Sequence, residues 1–182
     1  MTVARDNDAS AACDLSLSLQ AAEWHRALPD VETICRRAAH AALAVAGTAA
    51  ARPGTVEISI VLGNDGLIAE YNQAWRGRTG PTNVLSFPAA GAGNEAPHPG
   101  GTAPLLLGDV VVAYETASTE ARAEGKELGD RLSHLIVHGV LHLLGFDHQT
   151  DDQAAGMEKL ETEALDRLGI TGLCRADCAS IL

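Results

Sequence analysis

A chain of 182 residues has room for one core, and 46% hydrophobic but only 3% aromatic residues mean that aliphatic side chains and alanine must fill it. The formal charge of −11 argues against indiscriminate nucleic-acid binding, which needs clustered Lys and Arg on phosphates. Nothing approaches the roughly 18 continuous apolar residues of a membrane span, and the first residues lack a basic-then-apolar signal pattern. A cytoplasmic protein with no membrane association is therefore expected.

Residues 1–13 are polar and read as a flexible arm before a single domain at 14–172, with 173–182 as a tail. Leu15, Leu17 and Leu19 alternate with polar residues, the period of a strand. Pro29-Asp30 opens a helix with Val31, Ile34, Cys35, Ala38, Ala42 and Val45 on one stripe, and Gly47 falls near its end. Val56–Leu62 alternates again as a strand. Asn64 or Asp65 can cap the short helix that leads to Trp75 and Arg76.

Val84–Phe87 is β-prone and closed by Pro88, which suits an edge strand. Residues 89–104 are rich in Gly, Pro and Ala without any period and are expected to form a mobile surface loop. The valine-rich run Leu105–Ala113 reads as a buried strand. Helices are predicted at about Glu115–Glu124, Glu127–Leu144 and Asp151–Leu168, the last stopped by Gly169. No internal repeat is present. The sum is an α+β domain, a small mixed sheet with several helices. Cys13, Cys35, Cys174 and Cys178 are scattered and read as free thiols rather than a disulfide framework.

The segment from His138 to His148 carries the chemistry. His138 and His142 are four residues apart, so on a helix they share a face about 5–6 Å apart at Cβ. Both rings can then reach one ion at a zinc–nitrogen distance of about 2.0 Å. Gly145 suits the left-handed turn that ends a helix, and the reversal can bring His148 to the same ion. A histidine pair alone would be read as a packed core feature; the glycine stop and the third histidine change that reading. Three ligands leave a fourth position for water, the arrangement of catalytic zinc. His134, one turn before His138, is read as a supporting or core residue, and His98 in the 89–104 segment is not counted as a ligand. Zinc peptidases of the H-E-x-x-H type place a glutamate after the first histidine. Here that position is Gly139, which disfavours a peptidase of the usual kind.

Several blocks run in a recognisable order: Asn72-Gln-Ala-Trp-Arg76-Gly-Arg-Thr-Gly-Pro81-Thr-Asn-Val-Leu-Ser-Phe-Pro88, Leu107-Gly-Asp109-Val-Val-Val, the histidine block, Met157-Glu-Lys-Leu-Glu-Thr-Glu, and Leu168-Gly169. Together they resemble the YbeY family of bacterial metal-dependent endoribonucleases that act in ribosomal RNA maturation. The resemblance implies a zincin-like metallohydrolase fold and one Zn2+ held by His138, His142 and His148. It also places Arg76 in the active site, so Arg76 and His138 are the expected catalytic residues. Single-stranded RNA, ribosomal RNA precursors and the small ribosomal subunit with its associated proteins are the implied partners, and 16S ribosomal RNA 3′-end processing with ribosome quality control the implied task.

Arg76 is chemically suited to phosphate, being permanently charged and able to grip it with two parallel hydrogen bonds. Asp147, just before a ligand, is read as orienting an imidazole or capping the following turn, and Asp109 as a supporting residue or a turn residue. Ser86 has no His–Asp pattern to make it a nucleophile. Asn83 stands where many family members carry Asp, so no carboxylate role is assigned there. An acidic back with a basic groove around Arg76 and Arg78 would reconcile the net charge with RNA. Two other functions remain open at this level: a zinc-dependent peptidase or other metallohydrolase, and a non-catalytic ribosome assembly factor. The native metal is also open, since three-histidine sites accept nickel, cobalt or copper, as is the choice between water and the RNA 2′-hydroxyl as nucleophile.

Overall fold

The computed structural model describes residues 13–47, 56–89 and 105–171. The expected arm before Cys13, the 90–104 part of the expected loop and the tail, with His98, Cys174 and Cys178, lie outside the described residues. In chain order the elements are β1 (Cys13–Leu19), α1 (Ala22–Ala27), α2 (Val31–Val45), β2 (Val56–Gly63), α3 (Asp65–Arg76), β3 (Val84–Pro88), β4 (Leu105–Ala113), α4 (Tyr114–Ala123), α5 (Leu128–Leu143) and α6 (Asp151–Arg167). Every predicted element forms; α1 is additional. Its six residues are too few to show a period, and it is anchored by Trp24, which is buried and donates from Nε1 to the Gly63 carbonyl at 3.0 Å.

The four strands lie in the order β1-β2-β4-β3, with β1, β2 and β4 parallel and β3 antiparallel to β4. Parallel neighbours cannot be joined by a tight turn, so helices fill the connections: α1 and α2 between β1 and β2, α3 between β2 and the β3–β4 pair. Alternation then sorts the side chains. Ile58, Ile60, Leu62, Val110 and Val112 face α2 and α5 in the main core, while Val111 and Ala113 meet Leu85 and Ile68 beneath α3. β4 is therefore covered on both faces, which is why its sequence is a valine run instead of an alternation.

Helix α5 is the centre of the molecule. Leu132, Leu135, Ile136, Val137, Val140 and Leu141 are all fully buried. The alanines Ala38, Ala39 and Ala42 of α2 let the two helices approach closely. Truncating one large α5 side chain to alanine would cost about 2–5 kcal/mol through lost burial and the cavity left behind. Near its start, the buried Arg131 pairs with Glu120 of α4 at 2.7 Å, and Asn83 donates its amide to the same carboxylate at 3.1 Å. An aspartate at 83 would turn that hydrogen bond into a like-charge contact. The asparagine of this chain is thus explained by its neighbour Glu120.

Candidate metal centre

The last two turns of α5 and the loop after it bring three imidazoles together. The helix ends in a Schellman turn: Gly145, at φ 91°, donates to the His142 carbonyl at 3.0 Å, and Phe146 donates to Leu141 at 3.1 Å. A residue with a Cβ is strained at that φ, so glycine sets the sharp reversal. The loop then doubles back over the helix end, and the backbone N–H of His148 is held by the Asp147 carboxylate at 2.8 Å. α6 starts at once from a capping box between Thr150 and Gln153.

The ligating atoms of His138, His142 and His148 lie within 4.8 Å of one another, His138 buried and the other two half-buried. His138 and His142 approach to 3.0 Å between their Nε2 atoms. Two nitrogens bound tetrahedrally to one ion at about 2.0 Å would stand about 3.3 Å apart, so the rings are already close to ligating separation. The outer nitrogens explain which atoms point inward. His138 Nδ1 donates to Glu161 at 2.6 Å, and His142 Nδ1 donates to the Phe146 carbonyl at 3.0 Å. Each bond fixes a tautomer with a lone pair on Nε2. Two lone pairs facing each other at 3.0 Å repel unless a cation or a proton lies between them. The donor set therefore fits a divalent metal of the zinc type.

Electrostatics favour the neutral, ligating form of the rings. Burial lowers the His138 pKa against the opposing pull of Glu161. Burial, then the neighbouring His138 and His148, lowers that of His142 to about 4. Burial alone would raise Glu161, but His134 and His138 outweigh it and hold the carboxyl at about 2. His134 Nε2 lies 3.7 Å from the other Glu161 oxygen, so it supports the carboxylate and stays outside the cluster, as expected.

Glu161 was missed as a site residue in the sequence. Its signal was an acid inside the buried stripe Met157, Glu161, Ala164 and Leu165 of α6. Asp109, by contrast, is a correction. It is exposed on β4, while the next residue, Val110, points to the α5 face, so strand alternation turns the carboxylate away from the histidines. Asp147 accepts from the His148 backbone and, among the described residues, makes no imidazole hydrogen bond, so its place is in shaping the turn.

The cluster opens into a cleft of about 570 Å³ whose wall includes Arg76, Arg78, Ser86, Phe146 and Asp147. Both arginines arrive from the end of α3, where the chain turns at Gly77 and the buried Asn72 side chain donates to the Gly80 carbonyl at 3.0 Å. Apart from Asp147, the charged or chargeable groups of the lining are arginines and histidines. The acids Asp151, Asp152, Glu158, Glu163 and Asp166 are exposed on α6 outside it. Ser86 Oγ donates to the Gly139 carbonyl at 3.2 Å and so pins the metal helix to β3. At Gly139 itself, a Cβ would meet Val110 Cγ1 at 2.7 Å and Ser86 Oγ at 3.1 Å. Packing against the sheet thus excludes a glutamate where zinc peptidases have theirs.

A helix-borne histidine pair, a third histidine on a return loop and an open basic cleft on an α+β scaffold define a protein built to hold a metal beside an anionic substrate. The chain belongs to the Endoribonuclease YbeY family, whose model matches residues 21–169. Among similar proteins, Endoribonuclease YbeY of Paramagnetospirillum magneticum is 48% identical over 157 residues, 86% of this chain and 93% of that protein. The Parvibaculum lavamentivorans protein of the same name is 46% identical over 170 residues, 90% and 86% of the two chains. The solution structure of TM1509 from Thermotoga maritima superposes with a TM-score of 0.50 at 19% identity, covering 91% of this chain and 98% of that one, a likeness of fold. Among the described residues, no helix is long and apolar enough to cross a membrane.

Proposed function

We propose that this chain is a zinc-dependent, single-strand-specific endoribonuclease acting on ribosomal RNA precursors, including the 3′ end of 16S ribosomal RNA, and in ribosome quality control. It works in the cytoplasm with the small ribosomal subunit, through a single domain at 14–172. The observation that carries the reading is the convergence of His138, His142 and His148 at the floor of a cleft that also holds Arg76, in a chain of this family.

His138, His142 and His148 would hold the ion, which when bound supplies Lewis acidity and lowers the pKa of water. The chain does the rest. Glu161 and the Phe146 carbonyl keep two of the rings in the ligating tautomer. Arg76 receives the scissile phosphate by paired N–H donors and stabilises the charge that builds on its non-bridging oxygens. Arg78 adds a second positive charge that helps hold the RNA backbone in an otherwise acidic protein.

A peptidase is disfavoured because Gly139 both lacks a base and leaves no room for one. The test compares wild type, His138→Ala and Arg76→Ala on single-stranded and duplex RNA of the same sequence. Cleavage confined to single strands and lost in both variants is expected. Undiminished cleavage by either variant refutes the mechanism. Full rescue of ribosomal RNA processing in cells by a folded His142→Ala protein would show instead a non-catalytic assembly role.

A further inference from the structure

Trp75 has no part in the chemistry described above, yet it is 73% exposed, more than any other large apolar side chain among the described residues. Exposed tryptophan forfeits the largest apolar burial available to any side chain, so its position calls for a partner. The ring is not loose. It leans on Phe87 with centroids 6.1 Å apart and planes at 59°, and Tyr71 meets the same Phe87 edge-on at 6.1 Å. Three aromatic rings therefore form a supported patch at the end of α3, in a chain with very few of them.

The patch borders the cleft. Trp75 directly precedes Arg76, and Phe87 lies between Ser86 and Pro88; Arg76, Ser86 and Pro88 all line the cleft. β3 is the edge strand, so the patch and the cleft lie on its two faces with only that strand between them. A single strand crossing the β3 edge with one phosphate at Arg76 brings a neighbouring base to the indole.

Building on the nuclease reading, we propose that Trp75 is a stacking platform for an unpaired base next to the scissile phosphate. Such a platform helps select single-stranded substrate. A π-face accepts any base, so sequence tolerance follows, whereas a base held in a duplex is already stacked on both sides and cannot reach the ring. The flanking Arg76 and Arg78 supply the complementary charge and favour RNA over an apolar protein segment.

The chain's own fluorescence provides the test. Its two tryptophans differ completely in environment, Trp24 being fully buried and Trp75 exposed, so quenching by a ligand reports on Trp75. A short 2′-O-methyl RNA should quench saturably, its duplex form and inorganic polyphosphate should not, and Trp75→Phe should abolish the signal. Trp75→Ala should raise the KM for single-stranded RNA about tenfold while kcat stays within about twofold, with Trp75→Tyr restoring most of the loss. Thermal unfolding of Trp75→Ala close to wild type would exclude a folding defect.

RNA that saturates the protein by anisotropy without changing Trp75 emission overturns the platform and leaves the nuclease reading standing. So does a Trp75→Ala protein with unchanged KM, or quenching by ribosomal protein in place of RNA. Quenching by single strands without any cleavage supports the platform and removes the nuclease reading. Failure to bind RNA overturns both.

Discussion

The two halves of α5 bury polar side chains for opposite purposes. At its start, Arg131 meets Glu120 at 2.7 Å and Glu124 at 3.8 Å, so charge is answered by charge inside the protein. Two turns later, His138 and His142 are tied down by their outer nitrogens, and their inner nitrogens face each other at 3.0 Å. The first arrangement pairs a cation with carboxylates of the protein itself, whereas the second sets two lone pairs face to face. Burial alone therefore says little about role; what separates structure from function here is whether the opposing charge is already supplied from within.

The largest effect is expected in the second half of α5. His142→Ala should reduce metal content, read by elemental analysis, and bring RNA cleavage to background while thermal stability measured with chelator changes little. Arg76→Ala should keep the metal and lower kcat about 10²–10³-fold, the usual cost of removing one donor from a developing anion; full metal with full activity would dismiss its role. In the first half, Glu120→Ala removes the nearest carboxylate from the buried Arg131. It should cost about 3 kcal/mol in chemical denaturation and leave the activity of the folded fraction intact.

Glu161 shares features of both arrangements, since it is buried like Arg131 but holds a histidine. Glu161→Gln should weaken metal binding about 10–100-fold, measured by competition with a chromogenic chelator. The smallest effect is on acid stability of the metal-free protein. His142 is held at about 4, below the ordinary histidine value of 6.5, so the unfolded chain takes up its proton first. Its contribution is complete above pH 6.5 and falls away towards pH 4. Glu161, at about 2 against an ordinary 4.5, contributes above pH 4.5 and loses that contribution as pH drops to 2. Urea midpoints followed against pH should show both windows, and Glu161→Gln should remove the lower one.

Much of this was legible in the amino-acid order because it is local. Helical spacing aligned His138 with His142, Gly145 announced the reversal that returns His148, and valine-rich β4 declared a strand covered on both faces. What stayed hidden depended on contacts far apart in sequence. Glu161 reaches His138 only because α6 packs on α5, although an acid in an apolar stripe is a usable sign. Asp109 was misplaced because adjacency to a conspicuous run says nothing about which face of a strand a side chain takes. Trp75 drew notice only as a neighbour of Arg76, since exposure cannot be read from one aromatic at a helix end.

The close seat of α5 on the sheet at Gly139 reaches further than the loss of a peptidase base. With no Cβ there, α5 rests directly on Val110 and Ser86, and that seat sets how far the two helix-borne rings stand from the cleft wall formed by β3. Adding one methyl by Gly139→Ala would push the helix off Val110 and Ser86 and move both helix-borne rings with it. Metal selectivity, followed as the ratio of zinc to nickel affinity, should then shift with every ligand still in place, so that the sheet beneath tunes an ion it never touches.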